Sequence, residues 1–350
     1  MSSLRYGWTT GACATAATKA AYGALLTGTF PDPVEIVLPR GQRPAFALAV
    51  EELADGAATA GIVKDAGDDP DVTHGALVRA TVRHGAPGTG VVFRAGPGVG
   101  TVTKPGLPLD VGEPAINPVP RRMMREVLGD ADTVVEISVD GGEELARRTW
   151  NPRLGILGGL SILGTTGVVV PYSCSAWIDS IRRGVDVARA AGRTHVAGAT
   201  GSTSEKTVAE LYGLPMDALL DMGDFAGAVL KYVRRHPVPR LTIAGGIGKL
   251  AKLAAGHLDL HSKRSQVDFA LLAGLIDGDP ETAERVRAAG TALEALQICA
   301  EAGLPLGDLV AARARTVALD VLRGAPVEVD IVVIDRSGTI VGRAPHPTPG

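Results

Sequence analysis

The chain has little cysteine, no long apolar run and no excess of either charge. Its three cysteines, Cys13, Cys174 and Cys299, are scattered and odd in number. They form no C-x-x-C pair, so neither a disulfide framework nor a zinc site is indicated. No apolar run approaches the ~20 residues of a membrane span. A secretion signal is also missing: Arg5 is the one basic residue before Cys13, and the stretch between them is rich in Thr and Gly. The formal net charge of −3 gives no basic field for nucleic acid, so any anionic partner must be met by local cations. These absences read as a cytoplasmic protein with no membrane or nucleic-acid partner, and they leave a homo-oligomer open. There is no internal repeat and no low-complexity segment.

What the chain has in quantity is glycine, 45 residues, with 23 prolines. The glycines follow apolar runs, the pattern of tight strand-to-helix turns. The 350 residues suffice for two domains. Residues 1–152 predict an α+β domain with a mostly antiparallel sheet. A helix over Ala12 to Ala21, capped by Thr9 or Thr10, leads into short β-branched runs. Among these are "PVEIVLP", "AFALAVEE", "ALVRATVRH" and "DTVVEISVD". "RRMMREVLG" reads as a helix and "ELARRTW" as a further strand. Residues 153–350 then alternate strand, glycine turn and helix, beginning with "GVVVP" and its amphipathic helix. That alternation predicts a Rossmann-like α/β domain with a parallel sheet covered on both faces.

Two strand-to-helix turns are candidate ligand sites. In "LTIAGGIGKLAK", Gly246, Gly248 and Ala251 fit G-x-G-x-x-A, the dinucleotide fingerprint. No second strand ending in Asp or Glu follows it directly. A P-loop is out, because Ile243 and Leu250 occupy its first glycine and its hydroxyl position. Free N–H groups and Lys249 would suit a carboxylate or phosphate; the alternative is a structural glycine turn with Lys249 solvated. In "VAGATGSTSEKTVAEL", Ser202 and Glu205 have capping-box spacing, yet Thr200, Gly201, Ser202 and Thr203 also offer small donors at a strand's carboxyl end.

Other clusters divide the same way. The start of the first helix, Thr9, Thr10 and Gly11, is either an ordinary cap or an anion site. A nucleophilic Cys13 would need a base or a cation nearby, and no histidine is close in sequence. "KDAGDDPDVTHG" could hold a divalent cation but reads rather as a solvated acidic loop; no metal site is assigned. "GHLDLHSKRSQ" gathers His261, Ser262 and Lys263, fit for a polycarboxylate or simply a polar helix end. Gly159 and Gly164 have P-loop spacing, but Thr165 replaces the lysine.

"RYGWTTGACATAATKAA", "KDAGDDPDVTHG", "GPGVGTVTKPGLPLDVGEPAINPVPRRMM", "NPRLGILGGLSILGTTGVVVPYS" and "GGIGKLAKLAAGHLDLHSKRS" resemble, in this order, the CbiD family. That family comprises the cobalt-precorrin-5B carbon-1 methyltransferases of cobalamin biosynthesis. The similarity runs from about residue 4 to about 340. Cys174 and Ser175 in "PYSCSAW" stand where an acidic or small residue is expected. The resemblance implies S-adenosylmethionine as co-substrate and cobalt only as part of the precorrin substrate. Given that donor, the two glycine turns are its candidate site, with Thr200, Gly201, Ser202, Thr203, Gly245, Gly246 and Gly248. Asp224 of "MGDFAG" becomes the candidate catalytic residue, a partner for ribose or a base. Substrate carboxylates fall to Thr9, Thr10, Gly11, Lys104, Lys249, His261, Ser262 and Lys263, with the macrocycle expected between the halves. Two other readings stay open, a nicotinamide-dependent reductase and a non-catalytic corrinoid-binding protein.

Overall fold

Thr9 is extended (φ −76°, ψ 161°), and its Oγ1 accepts the Ala12 amide at 3.2 Å. This cap starts helix α1 (Thr10–Thr27). The computed structural model describes residues 4–54 and 56–345 and divides the chain into two compact units, Met1–Cys174 and Ser175–Gly350.

In the first unit, α1 is alanine-rich and buried from Thr10 to Thr18 and again at Ala20, Ala21 and Ala24, because side chains this small let a helix sit close against a sheet. Gly28 ends it in the left-handed region at φ 78°, its N–H returning to the Ala24 carbonyl. The strands of its five-stranded sheet are β1 (Val50–Ala54), β2 (Ala57–Val63), β3 (Leu77–His84), β4 (Val91–Ala95) and, after helix α2 (Pro118–Leu128), β5 (Thr133–Val139), beside several two-residue strand pairs. They lie in the order β1-β2-β3-β5-β4. Every pairing is antiparallel except β5 with β4. Alternate residues of β3 and β5, including Val78, Val82, Val135 and Ile137, join α1 and α2 in one core.

Two local expectations fail here. "ELARRTW" is not a strand: Gly141, at φ 67°, turns the chain into a short helix, α3 (Gly142–Ala146). Backbone crowding holds it in place, since a Cβ on Gly142 would lie 2.2 Å from the Gly98 carbonyl oxygen. "GVVVP" does not open the second unit either. Val168 and Val169 pair antiparallel with Trp8 and Gly7, so the segment after residue 152 packs with the first unit, and the division falls after Cys174.

The second unit begins with helix α4 (Cys174–Ala190). It continues through β6 (His195–Ala199), α5 (Ser202–Tyr212), β7 (Leu219–Asp221), α6 (Ala226–Arg235), β8 (Arg240–Gly246) and α7 (Ile247–Ala254). Helices α8 (Phe269–Gly274), α9 (Pro280–Arg287), α10 (Ala292–Glu301) and α11 (Leu306–Leu322) precede β9 (Glu328–Ile334) and β10 (Ile340–Ala344). The sheet order is β7-β6-β8-β9-β10, parallel except for β10. In chain order this is 2-1-3-4-5, the flavodoxin-like arrangement and not the 3-2-1-4-5 of the dinucleotide fold. The link from β9 to β10 is too short for a crossover, so β10 must run back antiparallel. The order reverses between β6 and β8, and ligands of open α/β sheets bind outside the strand carboxyl ends at that point. Among the described residues, no helix is long and apolar enough to cross a membrane.

Candidate functional site

At that reversal point the second unit has a cleft of about 700 Å³, within the ~300–1,000 Å³ usual for small-molecule sites. Its walls are Thr200, Gly201, Ser202 and Thr203 after β6 and Gly246, Gly248 and Lys249 after β8. These are the two glycine turns singled out in the sequence. Register explains their meeting: Ala199 pairs with Ala244, so both turns leave the sheet on the same edge. Ile247, Val267, Phe269 and Leu293 add apolar surface.

The glycines separate into two kinds. A Cβ on Gly245 would meet Thr200 Oγ1 at 2.6 Å, so close packing accounts for it, and it lines no part of the cleft. A Cβ on Gly248 would meet nothing nearer than Ala292 Cβ at 3.9 Å, one on Gly246 only the Ile334 carbonyl at 4.0 Å, and one on Gly201 nothing within 4 Å. None of these three has a left-handed φ. Their missing side chains leave open space, and that space is the cleft. Gly201 and Gly246 are also the N-caps of α5 and α7, and neither helix has a side-chain cap. The first amides of both helices therefore present donors to the cleft. Ser202 does not cap the helix as its spacing to Glu205 suggested, because the N-cap position falls one residue earlier, at Gly201.

Charged groups line the same walls. Lys249 Nζ lies 3.2 Å from Asp224 Oδ1 and donates to the Thr200 carbonyl at 2.9 Å. Lys249 is therefore not a free cation awaiting a substrate carboxylate, and Asp224, its partner, lies outside the cleft lining. Lys252 was not anticipated. It is 8% exposed and its Nζ donates to the Leu260 carbonyl at 2.9 Å. Its spacing of four from Gly248 would have placed it on the same helix face. Asp335 was missed too. It follows β9, whose Ile334 pairs with Gly246, so an acid does stand beside the glycine turn, far downstream in sequence. Its Oδ1 accepts the Ser337 amide and hydroxyl and the Thr339 amide at 2.7–2.9 Å. The Ser337 hydroxyl leads these donors in holding its pKa below the usual carboxylate value.

The remaining predicted residues lie elsewhere. Thr9, Thr10 and Gly11 are engaged internally: Thr9 caps α1, while the Leu163 amide donates to Thr10 Oγ1 at 3.0 Å and the Gly11 amide donates to the Leu163 carbonyl at 2.9 Å. The segment around Leu163 thus closes the helix start that was expected to take an anion. Lys104 belongs to the first unit, and its stem fills the space beside Gly155, where a Cβ would lie 2.5 Å from Lys104 Cγ. His261, Ser262 and Lys263 are exposed on the 257–268 loop. They do not line the cleft, although Gln266 and Val267 of the same loop do.

The acidic loop is structural. Lys64 pairs with Asp71 at 2.7 Å, Asp65 with Arg5, and Asp68 and Asp69 accept the backbone amides of Arg5 and Tyr172. His74 Nδ1 accepts the Ala66 amide. Among the described residues, no three His, Cys, Asp or Glu side chains are grouped to hold a metal. Cys13 is fully buried, and burial pushes its thiol up to about 12, away from the thiolate that a nucleophile needs.

The CbiD family model matches residues 1–171, and that of the CbiD C-terminal domain matches residues 259–345. A cobalt-precorrin-5B C(1)-methyltransferase of Rhodospirillum rubrum is 63% identical over 349 residues, covering 97% of this chain and 97% of the relative. One of Brucella anthropi is 63% identical over 351 residues, covering 97% and 95%. The crystal structure of the cobalamin biosynthesis protein cbiD from Archaeoglobus fulgidus is similar at 28% identity and a TM-score of 0.39, over 75% of this chain and 83% of that one.

Proposed function

The chain belongs to the CbiD family and is a methyltransferase acting on carbon 1 of cobalt-precorrin-5B, and on that footing we propose that the cleft of its second unit binds S-adenosylmethionine. The observation that carries this is the trio Gly201, Gly246 and Gly248, whose absent side chains leave room that no packing contact fills. The donor supplies an electrophilic methyl group on a sulfonium. The chain's part is to bind, orient and exclude water. The amides opening α5 and α7 hold polar groups of the donor, and Phe269, Ile247 and Val267 offer a flat apolar wall. Asp335, kept ionised by its hairpin donors, is the acceptor for the ribose hydroxyls in place of Asp224. Asp224 instead holds Lys249 across the turns.

Methyl transfer needs the methyl in line with the ring carbon at about 3–3.5 Å. It requires no covalent enzyme intermediate, in keeping with the buried Cys13 and Cys299. The macrocycle's carboxylates call for cations near the cleft mouth. His261 and Lys263, exposed on the loop that also supplies Gln266 and Val267, are the proposed carriers.

Calorimetric titration of the full chain with S-adenosylhomocysteine and with NADPH tests this reading. S-adenosylhomocysteine should bind the more tightly, and Gly248→Val should abolish that binding while the protein stays folded. A preference for NADPH, or binding indifferent to Gly248→Val, would overturn it.

A further inference from the structure

Among the described residues four charged side chains are buried: Lys64, Asp217, Lys252 and Asp330. Three have an opposite charge at hand. Lys64 pairs with Asp71 at 2.7 Å, Asp217 with Arg193 at 3.0 Å, and Asp330 with Arg240. Lys252 is the exception. Among the described residues its ammonium has no carboxylate partner, and its one hydrogen bond goes to the Leu260 carbonyl. Buried lysines are almost never left unpaired, because an isolated ammonium out of water is costly. An ammonium has three N–H donors, and one carbonyl takes one of them. Lys252 lines the donor cleft, one helical turn beyond Gly248 and on the same face of α7.

We infer that Lys252 is a binding residue whose counter-charge is supplied by a ligand: it receives a carboxylate at the cleft wall. This rests on the reading of the cleft as the donor site. Two sources carry that chemistry, the amino-acid carboxylate of the donor and an acetate or propionate of the macrocycle. The location in the donor cleft favours the first. In the ligand-free chain, the Leu260 carbonyl holds the ammonium and ties the 257–268 loop to α7. Ligand binding then completes an ion pair without moving the side chain.

The test uses S-adenosylhomocysteine and 5′-methylthioadenosine, which lacks the amino-acid part. Lys252→Gln keeps a donor for Leu260 and removes the charge; Lys252→Arg restores the charge. Lys252→Gln should weaken S-adenosylhomocysteine by about 10- to 100-fold and leave methylthioadenosine within about twofold, with partial recovery in Lys252→Arg. If S-adenosylhomocysteine is unaffected but KM for the tetrapyrrole rises by a similar factor, the carboxylate comes from the macrocycle. Equal weakening of both nucleosides would reduce Lys252 to a loop anchor and overturn the inference, as would no effect on any ligand. Failure of the wild-type chain to bind S-adenosylhomocysteine would instead remove the donor reading itself.

Discussion

Lys249 Nζ lies 3.2 Å from Asp224 Oδ1 and 2.9 Å from the carbonyl oxygen of Thr200, so one ammonium on α7 reaches the loops that follow β6 and β7. Both side chains are partly exposed, and solvent limits the pair to about 0.5–1 kcal/mol. A double-mutant cycle with Lys249→Met and Asp224→Asn should therefore give a coupling of about that size in unfolding free energy. Both single variants should weaken S-adenosylhomocysteine similarly, because each frees the Thr200 turn. A large loss of turnover confined to Asp224→Asn, with donor affinity intact, would restore Asp224 as a catalytic group.

Stability and binding should move in opposite directions at Gly248. Alanine there meets open space and favours the helix, so Gly248→Ala should hold stability or raise it by up to about 1 kcal/mol. The added methyl intrudes on the cleft, and donor affinity should fall by about tenfold or more. Gly245→Ala is the converse. Its Cβ would press on Thr200 Oγ1 at 2.6 Å, and overpacking of that kind costs about 1–3 kcal/mol. Thermal melts and calorimetry on the two variants read both quantities.

His195 contributes a pH dependence to the second unit between pH 6.5 and about 4. Its Nε2 lies 2.8 Å from Thr242 Oγ1. Burial, aided by the Arg240 charge and opposed by Asp330, lowers its pKa from 6.5 to about 4. The unfolded chain then binds the proton more tightly than the folded one. Stability present above pH 6.5 is lost as the pH falls toward 4. The melting temperature should decline over that window, and the decline should be shallower in His195→Gln. A melting temperature that rises on acidification, or an identical slope in the variant, would contradict this.

The cysteines should be dispensable for chemistry. Cys13 and Cys299 are buried, and burial raises both thiols. The triple Cys→Ala variant should keep most of its turnover, with some loss of stability from the cavity at Cys13. A folded but inactive triple variant would show that a thiol takes part in the transfer.

Much of the second unit was legible in sequence because local signals govern it. Strand, glycine turn and helix follow one another within a few residues, so Thr200 to Thr203 and Gly246 to Gly248 could be named before any fold was known. Sheet order was not legible, since the pairing of Gly246 with Ile334 joins residues far apart in the chain. Asp335 was missed for that reason. The turn at Gly245 to Gly248 also could not be divided into packed and open glycines without the neighbours Thr200 and Ala292. In the first unit, Thr9, Thr10 and Gly11 carried the pattern of an anion site, but a distant segment occupies them: the Thr9 and Gly11 amides donate to the Gly167 and Leu163 carbonyls, and the Leu163 amide donates to Thr10 Oγ1. "ELARRTW" became the end of a short helix followed by a turn because Gly141 and the close approach of Gly142 to Gly98 outweigh its strand-like pattern.

The most direct measurement is a crystal structure of the full chain grown with S-adenosylhomocysteine. The account predicts the ligand between Thr200–Ser204 and Gly246–Lys249, with its carboxylate at Lys252 Nζ and its ribose hydroxyls at Asp335. Ligand density in the first unit, at the start of α1 beside Leu163, with the second-unit cleft vacant, would contradict it.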